Sequence, residues 1–304
     1  MRGDKHHKKK RKGLKIFGIL VLLLVLGLGA YVFSIYRSLS SAVDTMHEPI
    51  ERNTRNISFE KKEPFTVLML GVDEREGDKG RSDTMIAMTI NPDKNSVKML
   101  SIPRDTRTEI VGRGTQDKIN HAYAFGGVEM SMDTVEKFLD IPIDYYMKVN
   151  MEGFKDIVDA LGGITVNNTI DFSQDGHRFP VGEVSLDGNQ ALSYVRMRKE
   201  DPQGDFGRQN RQRQIIQGVM KKGASFGSLT KYDDVFAALG ENVKTNMTFD
   251  EMKDIQKHYK TAADNIEQMK IEGNGTSIGG IYYYAVPETE RQRVQGELKT
   301  HLGK

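Results

Sequence analysis

Arginine and carboxylate side chains recur at short spacings through the middle of the chain. They stand in Arg81-Ser82-Asp83-Thr84, in Ile102-Pro103-Arg104-Asp105-Thr106, in Arg196-Met197-Arg198 and in Arg208-Gln209-Asn210-Arg211-Gln212. A guanidinium group is planar, stays charged at any working pH and matches phosphate oxygens two at a time. A carboxylate beside a bound phosphate commonly holds a divalent cation. For one arginine alone a structural salt bridge is the simpler account, with Arg196, Arg198 and Arg208 pairing with Asp83, Asp105, Asp201 or Asp205. The clustering of these groups favours a pyrophosphate site instead.

The elements that must position these groups follow from apolar patterning. Phe65 to Gly71, Thr84 to Ile90 and Val97 to Ile102 are apolar runs of strand length, and the Asn91-Pro92-Asp93-Lys94-Asn95 turn makes the last two a hairpin. Asp73 directly follows the first run, Arg81 and Asp83 precede the second, and Arg104 and Asp105 follow the third. All three loops therefore converge on one end of a sheet. Helices are predicted over 128–139, 151–161, 187–194, 206–222, 232–239, 249–259 and 288–302, with further strands at 145–149, 164–166 and 281–286. This alternation predicts an α/β fold, a three-layer α/β/α sandwich with a central mixed sheet.

Within 206–222, Arg208, Arg211, Gln212, Ile215 and Val219 share one helical stripe, so the arginines continue an inward face whose N-cap is Asp205. Buried arginines need partners. The late run Tyr282-Tyr283-Tyr284 reads as sheet core rather than a ligand platform. His121 reads as a structural hydrogen-bonding residue, because no second histidine stands at metal-ligand spacing.

The N-terminus carries a different signal. Eight basic residues from Arg2 to Lys15 precede an uncharged stretch from Ile16 to Tyr36, which at about 1.5 Å per residue reaches roughly 30 Å, the thickness of a bilayer's hydrocarbon core. The apolar character is too long and lacks a suitable cleavage site for a signal peptide. The predicted organisation is a cytoplasmic basic segment at 1–15, one transmembrane signal-anchor helix at 16–36, a stalk at 37–64 and an extracellular domain at 65–304, a single-pass protein of the cell membrane with its C-terminal part outside. Beyond the N-terminal segment 36 basic residues face 41 acidic ones, a formal charge of −5, which argues against nucleic acid as a partner. The chain has no cysteine, so neither disulfides nor thiolate chemistry are available.

The combined series resembles the LytR-CpsA-Psr family. It comprises Gly71-Val72-Asp73, Arg81 to Thr84, Ser101 to Thr106, Lys118 to Tyr123, Tyr194 to Arg198 and Asp205 to Gln212, covering roughly Phe65 to Met220. Within that family it is most similar to the branch that transfers teichoic acids. The resemblance implies transfer of an anionic wall glycopolymer from a polyprenyl-pyrophosphate carrier to the 6-hydroxyl of N-acetylmuramic acid in peptidoglycan, with no nucleotide. It implies Mg²⁺, or Mn²⁺, on Asp73 and Asp83. It also implies a pyrophosphate cage of Arg81, Arg104, Arg196, Arg198, Arg208 and Gln212, in which Asp83, Arg104, Arg196 and Arg198 are catalytic. Asp83 and Asp105 are both candidates for a general base, and a loose transition state needs little help from one. A lipid pyrophosphatase using water as acceptor, or a non-enzymatic regulator of wall assembly, would use the same cage.

Overall fold

The apolar run after Pro64 forms β1 (Phe65–Val72), and the two-residue alternation of a strand decides which side each residue faces. Leu68, Leu70 and Val72 enter one core with Met85, Ala87, Leu100 and Ile102. Phe65 and Val67 enter another, with Tyr145 and Tyr259. The structure, a computed structural model, describes residues 29–52, 54–72, 80–150, 153–198, 200–224 and 232–304.

β1 pairs antiparallel with β2 (Ser82–Asn91), and β2 continues into β3 (Ser96–Ser101) as the predicted hairpin. Its turn is closed by the Asn91 Oδ1 oxygen, which accepts from the backbone N–H groups of Asp93 and Lys94 at 3.0 and 3.1 Å. On the other side β1 pairs in parallel with β6 (Tyr145–Asn150). Short edge strands β11 (Val243–Thr245) and β12 (Ile266–Met269) complete a six-stranded mixed sheet in the order β11-β6-β1-β2-β3-β12.

Helices cover both faces of this sheet. On one, α2 (His121–Leu139) and α8 (Glu288–His301) bury Met132, Val135, Phe138, Val294 and Leu298 against the strands. On the other, α7 (Phe249–His258) packs beside an aromatic cluster of Phe59, Phe65, Tyr145 and Tyr259, with ring centroids 5.3 to 6.2 Å apart. There too α3 (Phe154–Ala160), α4 (Gly188–Arg196), α5 (Asp205–Ala224) and α6 (Tyr232–Asn242) build a third core that reaches Met147 and Val149 of β6. The expected mixed α/β fold with a central mixed sheet is therefore observed.

Three features depart from the sequence-based expectations. The strand at 164–166 belongs to β7 (Ile164–Asn168), which pairs with β10 (Gly182–Leu186) outside the central sheet, where the small hairpins of β4 (Arg107–Ile110) with β5 (Thr115–Lys118) and of β8 (Phe172–Gln174) with β9 (His177–Phe179) also lie. The late aromatic strand β14 (Ile281–Ala285) pairs with β13 (Asn274–Ile278) in a separate hairpin, because β12 already occupies the edge beside β3. The folded part also begins well before Phe65. Ala42, Val43 and Met46 of a helix over residues 29–46 (α1), and Ile57 and Phe59 beyond it, are all buried. Arg55 donates to both carboxylate oxygens of Asp144 at 2.7 and 2.6 Å, so the segment expected as a stalk is bonded to the start of β6. Apolar residues spaced through 42–59 supply the burial that a solvated stalk would lack.

Of the expected spanning segment at 16–36, residues 16–28 lie outside the described residues. Among the described residues no helix is long and apolar enough to cross a membrane.

Candidate functional site

Strand pairing brings the first groups together. β1 ends with Val72 opposite Ser82, and Asp83 follows in β2, while β3 delivers the turn Ile102-Pro103-Arg104-Asp105 to the same end of the sheet. Arg104 Nη1 donates to Asp83 Oδ1 at 2.8 Å and its Nε lies 3.8 Å from Asp105 Oδ2, while Lys118 Nζ donates to Asp105 Oδ1 at 2.7 Å. The turn is held by its own backbone: Thr106 N donates to Pro103 O at 3.0 Å, Asn120 N to Arg104 O at 3.3 Å and Ile119 N to Thr106 O at 2.8 Å. The Lys118-to-Tyr123 motif thus braces the Arg104 turn through the main chain. His121 is the hydrogen-bonding residue expected, its Nδ1 lying 2.8 Å from Asp117 Oδ2.

The second group of arginines comes from the α4–α5 corner. A capping box starts α4: Asp187 Oδ1 accepts from Gln190 N at 2.8 Å, and Gln190 Oε1 accepts from Asp187 N at 3.0 Å. The helix ends at Arg196, exposed, and Arg198 follows, also exposed. Between them and α5 the chain is fixed by Arg211, itself 4% exposed. Its guanidinium donates to Tyr194 O at 3.1 Å, to Met197 O at 2.5 Å and to Asp201 Oδ2 at 2.5 Å. The inward arginine of the predicted stripe is therefore a structural clamp on the segment that carries Arg196 and Arg198.

Sequence reasoning missed Arg213. It is 4% exposed and lies off the predicted stripe, yet its Nη1 donates to Ser101 Oγ at 2.8 Å and its Nε to Gln268 Oε1 at 3.0 Å. Burial lowers the pKa of this guanidinium. Ser101 immediately precedes the Ile102-to-Thr106 motif, so Arg213 ties α5 to the Arg104 turn. The signal was present as the third arginine of Arg208, Arg211 and Arg213, but it falls outside the stripe that helical periodicity picks out.

A cleft of about 880 Å³ opens where these elements meet. Asp105, Arg196, Arg198 and Asp201 line it together with Pro103, and so do Gln174, Gln203, Gln209 and the rings of Phe206, Tyr282 and Tyr284. Arg104 and Asp83 adjoin it through Asp105. Arg81 is exposed on the approach to β2, Arg208 is half-buried and Gln212 is 8% exposed, and none of the three lines the cleft. Gln209 does so in place of Gln212. Asp73 lies outside the described residues.

Among the described residues no group of three His, Asp or Glu side chains is placed to hold a metal ion. Asp83 nevertheless supplies a carboxylate of the kind Mg²⁺ takes, with Oδ1 bonded to Arg104. Mg²⁺ commonly binds through one or two carboxylates, with phosphate oxygens and water completing its shell. The donor set fits a cation that arrives with a phosphorylated substrate.

Comparison with known proteins places the chain in a family. The model of the LytR_cpsA_psr family matches residues 33–300. The chain is 54% identical over 307 residues, covering all of both chains, to the polyisoprenyl-teichoic acid–peptidoglycan teichoic acid transferase TagU of Bacillus subtilis strain 168. The crystal structure of B. subtilis TagU superposes with a TM-score of 0.66 at 56% identity, over 80% of this chain and 98% of that one. The structure of TagT bound to LI-WTA superposes with a TM-score of 0.71 at 30% identity, over 85% of this chain and 100% of that one. Beginning at residue 33, the family match takes in the buried segment before Phe65 as well as both arginine groups, and the chain belongs to the LytR_cpsA_psr family.

Proposed function

We propose that this chain transfers a teichoic acid from a polyisoprenyl-pyrophosphate carrier to peptidoglycan. The observation that carries this reading is the convergence of Arg196 and Arg198 with Asp105 in one cleft, beside the Arg104–Asp83 pair, in a chain identical at 54% of positions to a transferase of that name.

The reaction needs charge neutralisation more than covalent help. The 6-hydroxyl oxygen of an N-acetylmuramic acid residue attacks the phosphorus that bears the polymer, and the P–O bond to polyisoprenyl phosphate breaks. The hydroxyl proton passes to water or to Asp105. Negative charge develops on the leaving phosphate, where Arg104, Arg196 and Arg198 stabilise it; cations already in place cost no reorganisation as that charge forms. Asp83 and Asp73 would hold Mg²⁺, which supplies further charge neutralisation on the phosphate oxygens. Arg211 and Arg213 contribute by fixing the two segments that carry the cage. No nucleotide is required, because the pyrophosphate bond is already activated.

The lipid carrier implies a membrane. Basic residues before an uncharged stretch at 16–36 support a single-pass anchor with the C-terminal part outside the cell, which holds the cleft near the lipid.

The test incubates the full-length protein in detergent with a polyprenyl-pyrophosphate-linked glycan, uncrosslinked peptidoglycan strands and Mg²⁺, and reads products by mass. Glycan joined to the strand is the expected result. Glycan phosphate released into water without joining would replace the transferase reading with a hydrolase, and an unchanged donor would remove the catalytic reading altogether.

A further inference from the structure

The aromatic run near the C-terminus was expected inside a sheet, and instead it borders the cleft. The hairpin of β13 and β14 closes through Gly279 and Gly280, at φ 59° and 80°. Tyr282 is 52% exposed and, with Tyr284, lines the space shared by Arg196 and Arg198. Phe206, 40% exposed at the start of α5, meets Tyr284 edge to face with centroids 5.7 Å apart. Burial accounts for Tyr283 and Tyr284, but it does not account for Tyr282 and Phe206.

These rings are held in place. Tyr284 N donates to Asp105 O at 2.8 Å, and Thr106 forms a bridge with Tyr284, so the hairpin is bonded to the turn that carries Arg104. The Tyr284 hydroxyl donates to Ile271 O at 3.3 Å. On the facing strand a Cβ at Gly275 would come within 2.9 Å of the Tyr282 ring, and one at Gly273, just before that strand, would meet Ala285 O at 2.5 Å and the Tyr284 ring at 2.8 Å. Gly275 therefore leaves room for the Tyr282 ring, which stays half-exposed with Lys118 Nζ 6.0 Å from its centroid.

A pyranose presents a face of C–H groups that lies well on an aromatic ring, while its hydroxyl and amide substituents seek hydrogen bonds at the ring's edge. The amides of Gln203 and Gln209 border the same space. We infer that Tyr282 and Phe206, backed by the buried Tyr284, form a glycan subsite that stacks a pyranose beside the arginine cage. The inference rests on the proposed transfer reaction and adds how the sugar is held. The stacked ring comes either from the donor polymer next to its pyrophosphate or from the acceptor strand, since both present the same C–H face.

The test measures binding by the full-length protein in detergent of three probes: polyprenyl pyrophosphate without sugar, its glycan-bearing form, and soluble uncrosslinked peptidoglycan strands. Tyr282→Ala is expected to leave the sugarless probe unchanged and to weaken one glycan probe about tenfold, the size of one aromatic contact. A loss on the glycan-bearing lipid assigns the subsite to the donor, and a loss on the strands assigns it to the acceptor. Tyr282→Phe retains binding, because the face and not the hydroxyl is used. Gly275→Val, which drives a side chain into the ring's place, behaves like Tyr282→Ala. Unchanged binding of both glycan probes overturns the inference, as does equal weakening of the sugarless probe, which would reduce the hairpin to a brace for the Arg104 turn. Failure of the wild type to bind the sugarless probe counts against the phosphate cage instead, and the strand probe still judges the subsite.

Discussion

Arg104 and Asp83 form a 2.8 Å ion pair between the ends of neighbouring strands, and both side chains keep solvent contact, 21% for Arg104 and 42% for Asp83. A pair of this exposure contributes little to stability, commonly about 0 to 1 kcal/mol. Its value lies in holding the guanidinium beside Asp105, which lines the cleft. Arg104→Ala should lower the rate of polymer transfer roughly ten- to a hundredfold, the loss expected for one charge-assisted contact in the transition state. The thermal midpoint should move by no more than about 3 °C. Transfer assays and calorimetry on the same preparation check both halves, and a large fall in the midpoint would recast Arg104 as structural.

Arg211 should behave in the opposite way. Its guanidinium is buried with Asp201 and with the carbonyls of Tyr194 and Met197, so Arg211→Ala takes the charge partner from a buried carboxylate, leaving it the Gln203 N–H, and removes a donor from each of the two carbonyls. Breaking a buried pair from one side costs about 3 to 5 kcal/mol. Chemical unfolding should show a loss of that order for Arg211→Ala. Arg211→Lys should recover part of it, because a lysine replaces the charge but not the forked geometry.

The start of the folded unit gives a further contrast. A chain beginning at Phe65 lacks Ile57 and Phe59 from the aromatic core and leaves Asp144, whose side chain is 1% exposed, without its Arg55 partner. It is expected to be aggregation-prone and to unfold at markedly lower denaturant concentration than a chain beginning at Ser38, which keeps the buried Ala42, Val43 and Met46. Equal stability of the two would show that the segment merely rests on the domain.

The central sheet was legible because its strands are unbroken apolar runs separated by a clear turn, and that pattern has few other solutions. Asp83 and Arg104 were placed together by the same logic, since antiparallel strands return loops to one edge. Arg211, Arg213 and the tyrosine hairpin were not legible to the same degree. Which of several arginines on one helix is clamped inward depends on carbonyls and a carboxylate at Tyr194, Met197 and Asp201, whose arrival is a tertiary event. Tyr282 resembles any strand aromatic until the edge beside β3 is known to be filled by β12. The segment at 42–59 read as a stalk because its apolar residues are dispersed, and only the partners they meet turn them into core.

His301 offers a pH test that is independent of activity. It is 2% exposed; its Nδ1 lies 2.7 Å from Thr89 Oγ1 and its Nε2 2.9 Å from Ser96 Oγ, while its carbonyl accepts from Asn91 at 2.5 Å. Burial, aided by the charges of Lys94 and Lys98 and opposed by Glu267, lowers its pKa from 6.5 to about 4. The unfolded chain thus binds a proton below pH 6.5 that the native protein refuses. The stability this neutral histidine contributes is fully present above about pH 6.5 and is lost as the pH falls toward 4, by about 2 to 3 kcal/mol. Urea midpoints of wild type and His301→Gln at pH 7.5 and pH 4.5 check this. The glutamine variant should start less stable and lose less between the two conditions, because its side chain has no proton to gain. Parallel losses in the two proteins would move the acid sensitivity to other groups and leave His301 as packing alone.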